Sequence, residues 1–123
     1  MSDFIKTRIA RILKAVTFSM QGFKFALKQR PIQDELIACA VLAPIAIYVD
    51  VTTIERLMLL GSLFLVILAE VFNTAIEVVI DRISTEQHPL SGAAKDLGSA
   101  AVFLCIAWAC IVWAYILWPV LVS

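Results

Sequence analysis

From Leu97 to Val122 the chain runs for twenty-six residues without a charge. As a helix that stretch is about 39 Å long, more than the roughly 30 Å hydrocarbon layer of a bilayer. Backbone in lipid must satisfy its own hydrogen bonds, so the other apolar runs are expected to be helices as well. Trp113, Tyr115 and Trp118 gather toward the end of the run, where an interfacial aromatic belt belongs. Gly98, Ser99, Ala100 and Ala101 open it with small side chains that permit close helix contact. Composition agrees. The 123 residues are 62% hydrophobic and 16% charged, with mean hydropathy +0.94, where a soluble domain carries roughly 25% charge. The expectation is an all-α integral membrane protein forming a single domain over 1–123.

Two further spans are read from the pattern: 32–49 as the first, 56–80 as the second, with 97–120 as the third. The first apolar run, Leu36–Val49, is short and crosses only if it extends back through Ile32, leaving Asp34 and Glu35 at the interface. Before these, 3–30 reads as an amphipathic surface helix. Ile5, Ile9, Ile12, Val16, Met20, Phe23 and Leu27 form one stripe at three- and four-residue steps, while Lys6, Lys14, Lys24 and Lys28 fall on other faces. Pro31 ends or bends that helix. Residues 50–56 and 81–96 read as polar connections.

Seven of the ten basic residues lie before Pro31. With Arg82 and Lys95, nine of the ten sit in the surface helix or the 81–96 segment, leaving Arg56 alone in the 50–56 turn. The positive-inside rule therefore predicts a cytosolic N-terminus and a cytosolic 81–96 segment. Cys39, Cys105 and Cys110 sit in apolar runs with neither disulfide nor metal spacing, and the N-terminus lacks the pattern of a cleaved signal peptide. Zero net charge gives no reason to expect a nucleic-acid partner.

Glu70, Asn73, Glu77 and Asp81 fall within one arc of the second span. A carboxylate at mid-bilayer costs roughly 2.5–3.5 kcal/mol on insertion scales. Two of them with a carboxamide between need a reason. A deep Glu70 can take a proton from a group held in the bilayer. Glu77, about 10 Å nearer the cytosol, can ligate Mg2+. A polar clamp between helices is the plainer alternative, although one hydrogen-bonding residue would suffice for that. Lys95 and Asp96, on the approach to the third span, read either as a phosphate-facing pair or as a snorkelling interfacial pair. Gly92, Lys95 and Ser99 share a face. Arg11, Phe18 and Phe25 recur every seven residues and suit either a nucleotide or another subunit's helix. His88, before Pro89, is first a turn residue, and Glu86 and Gln87 share its loop. Glycine occurs only at 22, 61, 92 and 98, so no glycine-rich phosphate loop is present.

Two blocks carry a specific resemblance. Glu70-Val71-Phe72-Asn73-Thr74-Ala75-Ile76-Glu77, followed by Asp81, is similar to E-x-x-N-[ST]-A-I-E-x-x-x-D of the small prokaryotic diacylglycerol kinases. His88-Pro89-Leu90-Ser91 through Ala94-Lys95-Asp96-Leu97-Gly98-Ser99-Ala100-Ala101-Val102 resembles that family's second block, H-x-L-S-x-x-A-K-D-x-G-S-A-A-V. The resemblance implies phosphorylation of diacylglycerol by Mg-ATP in a bacterial inner membrane, by a homotrimer with sites shared between subunits. It implies Glu70 as general base and Glu77 as metal ligand. Arg11, Phe18, Glu86, Gln87, His88, Lys95 and Asp96 would be nucleotide contacts, with Glu35, Asn73 and Ser99 lining the site and Asp81 in support. It also marks a departure: the family's second metal-binding carboxylate aligns with Gln29 or Arg30. Undecaprenol is an alternative acceptor within the same fold. A small proton-coupled transporter using Glu70 as its carrier is the rival from another class.

Overall fold

The computed structural model describes residues 2–123 and, among them, four helices: α1 (Ser2–Ala26), α2 (Arg30–Tyr48), α3 (Thr53–Ile83) and α4 (Pro89–Val122). Three of them, α2, α3 and α4, are long and apolar enough to cross a membrane.

The helix boundaries follow from local chemistry. Pro31 lacks an N–H and its ring conflicts with the carbonyl of Leu27. The break therefore falls a turn before the proline, at residues 27–29, where Gln29 N–H bonds back to Ala26 O in a tightened turn. Hence α1 ends at Ala26 rather than at residue 30, and Pro31 sits in the first turn of α2, where its missing donor costs nothing. That start gives α2 nineteen residues, about 28 Å, enough to span.

Helix α3 opens on a capping box. Thr52 Oγ1 accepts from Glu55 N–H at 3.2 Å, and Glu55 Oε1 accepts from Thr52 N–H at 3.1 Å. The 50–56 connection thus shrinks to residues 49–52. Arg56, one turn into α3, reaches back to the end of α2. Its Nη1 donates to Ala46 O at 2.7 Å and to Ile47 O, and its Nη2 to Val51 O at 3.3 Å. These include carbonyls that a helix end leaves without partners, and the cation suits the negative end of the helix dipole.

The 81–96 connection also narrows. Residues 81–83 finish α3, 89–96 begin α4, and only 84–88 are loop. His88 Nδ1 accepts from Leu90 N–H at 3.1 Å and caps α4, with Pro89 in its first turn. The thirty-one residues of α3 and thirty-four of α4 make rods of about 46 and 51 Å. Both exceed a bilayer's apolar thickness, so the spans read from hydropathy are the apolar parts of longer helices.

Helix α3 is the centre, packed mainly on α4 and secondly on α2. Its buried residues are Leu59, Ser62, Leu63, Val66, Ala69, Glu70, Asn73, Thr74 and Ile80, one stripe at helical spacing. Toward the 49–52 connection the seam is apolar, with Ala46, Leu59 and Val112 closing a small core. Trp113 Nε1 donates there to Ser62 Oγ at 3.0 Å and to Leu59 O at 3.2 Å. Toward the 84–88 loop the same seam turns polar. Helix α1 makes no substantial contact with this bundle, and Ala26 alone along it is buried.

Candidate active site

The polar half of the seam holds the nominated carboxylates. Glu70 is 6% exposed and Asn73 8%, so neither is turned toward lipid. Each lies on the stripe that packs α3 into the bundle, since 66, 70, 73 and 77 recur at three- and four-residue steps. One turn on, Glu77 is half-buried, and its Oε1 accepts from Asn73 Nδ2 at a long 3.4 Å. Another turn reaches Asp81, exposed at the end of the rod, where its Oδ1 pairs with Lys95 Nζ at 2.8 Å. That ion pair joins the last turn of α3 to the first turns of α4. The lysine lies on the turn before the apolar run, and the hydrogen bond it donates to Asp81 raises its pKa above the usual lysine value.

Around the pair opens a polar cleft of about 600 Å³. Asp81, Glu86, Gln87, His88 and Lys95 line it, together with Ser84, Thr85, Ser91 and Gly92. The last four were not picked out by the sequence as a set. Their signal was local: Ser84 Oγ accepts from Glu86 N–H at 3.0 Å, a serine turn two residues ahead of a loop acid. Asp96 and Ser99 are exposed on α4 and stand outside this lining.

Glu35 of α2 lies within electrostatic reach of Glu70. It edges an apolar cleft of about 350 Å³ between α2, α3 and α4, lined by Cys39, Leu42, Leu63, Val66, Ile106, Ala109 and Trp113 among others. Arg11 and Phe18 are exposed on α1, away from both clefts within one chain. The cation over an aromatic ring on that helix is Arg8 above Phe4, 4.7 Å from the centroid.

The donor set suits Mg2+. This ion keeps several waters and is held by one or two carboxylates beside substrate phosphates rather than by an all-protein cage. Glu77 supplies one such carboxylate, lightly committed to Asn73. Among the described residues no three His, Cys, Asp or Glu side chains converge, and Gln29 at the α1–α2 junction, whose Nε2 donates to Phe25 O at 3.4 Å, offers no second carboxylate.

A buried carboxylate on the central rod, in a bundle whose three apolar helices are long enough to cross a membrane, with a polar cleft at the rod's end, defines a polytopic helical membrane protein. The sequence model of the family described as prokaryotic diacylglycerol kinase matches residues 17–117. Relatives named diacylglycerol kinase include one from Escherichia coli, 43% identical over 101 residues that cover 81% of this chain and 83% of the relative. Another, from Pseudomonas aeruginosa, is 39% identical over 102 residues (82% and 83%). A third, from Haemophilus influenzae, is 38% identical over 101 residues (81% and 86%). The chain belongs to the prokaryotic diacylglycerol kinase family.

Proposed function

We infer that this protein transfers the γ-phosphoryl group of ATP to the free hydroxyl of diacylglycerol, giving phosphatidic acid and ADP. The observation that carries the reading is the course of α3, which runs from a buried carboxylate at Glu70, through Glu77, to a water-facing cleft holding Lys95. A lipid hydroxyl sits at the headgroup boundary and ATP in water, and one rod reaches both.

Glu70 accepts the hydroxyl proton as the lipid oxygen attacks the γ-phosphorus and the bond to the bridging β–γ oxygen breaks. Burial among apolar neighbours keeps water from competing as acceptor. Lys95 faces the phosphates from the cleft. Glu86, Gln87 and His88 border the nucleotide, and Asn73 holds one oxygen of Glu77. Mg2+, when bound at Glu77, neutralises phosphate charge. Catalysis by such a site is mostly positioning and electrostatics. The apolar cleft beside Glu35 suits an acyl chain.

The functional unit is proposed to be a homotrimer in a bacterial inner membrane, with the N-terminus and the 84–88 loop in the cytosol. Supporting this, large apolar residues are exposed along all four helices, and α1 keeps Arg11 and Phe18 apart from the cleft of its own chain. A neighbouring chain's α1 would bring them to it, with the isoleucine stripe lying in the membrane surface.

The test is purified protein in mixed micelles with γ-labelled ATP, Mg2+, diacylglycerol and undecaprenol. Label enters diacylglycerol. Glu70→Gln, which keeps the shape but not the basicity, lowers kcat by about 10²–10⁴-fold with assembly intact. Label in neither lipid, or a fully active Glu70→Gln, refutes the reading.

A further inference from the structure

We propose that Gly98 is a positioning residue: by bringing α4 against α3 it wedges the amide of Asn73 into one orientation, and through Asn73 it aims the carboxylate of Glu77. The second half rests on the reading of Glu77 as metal ligand.

Of the four glycines, Gly22, Gly61 and Gly92 have open space where a Cβ would stand. Gly98 does not. A Cβ there would collide with Asn73 Oδ1 and lie 3.3 Å from Asn73 Cγ and 3.4 Å from Ile76 Cδ1. The glycine is buried on α4 and the asparagine is 8% exposed on α3. The two touch across the helix–helix seam.

Asn73 Oδ1 is also the one buried side-chain polar atom among the described residues without a hydrogen-bond partner. Its near neighbour is the Gly98 backbone, which offers at best a weak Cα–H contact. An amide free to turn would not leave its oxygen there. Rotation by half a turn, however, would set that oxygen against Glu77 Oε1, two acceptors face to face, and press the amide nitrogen onto Gly98. The orientation found gives Nδ2 to Glu77 at 3.4 Å and leaves the oxygen stranded. The orphaned acceptor is thus the mark of a side chain held by sterics on one side and by a carboxylate on the other.

The approach also runs in register along the seam. Helix α3 steps Asn73, Glu77, Asp81 toward the loop, while antiparallel α4 steps Gly98, Lys95 in the same direction. Gly98 packs on the first of these, and Lys95 pairs with the last at 2.8 Å.

Asn73 is the chain's sole asparagine, so protein grown with 15N-asparagine gives a single side-chain NH2 pair in a 15N–1H spectrum of the full chain in micelles. Gly98→Ala is expected to displace that pair. It should also raise the Mg2+ concentration for half-maximal activity about tenfold, the loss typical when a partner of a metal ligand is disturbed, and leave the KM for diacylglycerol within about twofold. Gly61→Ala, with open space at its Cβ, leaves both readouts unchanged. An unmoved NH2 pair in Gly98→Ala, or an equal displacement in Gly61→Ala, overturns the proposal. A displaced pair with an unchanged Mg2+ requirement overturns the link from Asn73 to Glu77, while the Gly98–Asn73 contact stands. The metal-ligand reading is tested separately by Glu77→Gln, whose unchanged Mg2+ requirement would overturn that reading alone. Should Gly98→Ala fail to fold, adding Asn73→Ala removes the clash and restores helix content. No restoration overturns the proposal too.

Discussion

Replacing Trp113 by Phe removes the one side-chain hydrogen-bond donor that α4 sends into α3 at the apolar end of the bundle. The indole N–H is shared between Ser62 Oγ at 3.0 Å and Leu59 O at 3.2 Å, on residues that are 1% and 0% exposed. Hydrogen bonds between membrane helices average about 0.6 kcal/mol and reach about 1.7. The lost ring area also leaves a gap against the Ala46–Leu59–Val112 core. Ser62 keeps its own donation to Leu59 O at 2.7 Å, so that carbonyl retains a partner, while Ser62 Oγ loses the donor it accepted from. The sum is about 1–2 kcal/mol, a five- to thirtyfold loss in the folded-to-unfolded ratio. Equilibrium unfolding of the full chain in mixed micelles of graded denaturing detergent, followed by circular dichroism, measures it. Pairing the change with Ser62→Ala in a double-mutant cycle should give a coupling of about 0.5–1 kcal/mol. Because Ser62 and Glu70 are eight residues apart on one helix, about 12 Å, kcat of the folded Ser62→Ala protein should not change, whereas Trp113 itself lines the apolar cleft beside Glu35. A Trp113→Phe protein within about 0.3 kcal/mol of the parent, or additive single changes, would show that the seam does not depend on this bond.

Arg56→Gln frees two carbonyls at the close of α2 and one in the 49–52 connection and should cost about 1–2 kcal/mol in the same unfolding assay, with the Mg2+ requirement unmoved. Lys95→Met should lower kcat at least about a hundredfold, since a cation aimed at transferring phosphate acts in the transition state. Asp81→Asn should change stability by less than about 1 kcal/mol, because both partners of that ion pair are well exposed. If steady-state kinetics and unfolding find the reverse order for these two residues, the cleft is held together by the ion pair rather than served by the lysine.

Which parts of this architecture the sequence disclosed depends on how local their causes are. Hydropathy alone located the spans, because an uncharged run such as 97–122 has few other fates. The 3.6-residue period also set Glu70 and Asn73 within one arc, and the structure turns that arc inward in line with Leu59, Ser62 and Val66. Helix ends were harder. Hydropathy stops at the edge of the apolar layer, whereas α3 and α4 continue past it on capping signals, Thr52 with Glu55 and His88 with Pro89. The Thr-x-x-Glu spacing is a helix-start signal that lies inside what reads as a polar turn. What lay beyond local reading is tertiary. Nothing in the residues around Arg56 says that its guanidinium turns back ten residues to Ala46. The crowding at Gly98 exists only once two helices have met. Arg11 and Phe18 share a face of α1, but where that face goes depends on chains outside this one.

Setting Glu70, Glu77 and the cleft, the proposed base, metal ligand and nucleotide site, along a single unbroken rod has a mechanical consequence. A rod has no hinge, so the depth of Glu70 below the headgroups and the height of the cleft above them cannot be adjusted separately. A thinner or thicker bilayer is met by tilting the rod or deforming the lipid around it, and either response moves both ends of the reaction together. Membrane thickness thereby becomes a geometric variable of the chemistry, much as loop closure is for an enzyme in water.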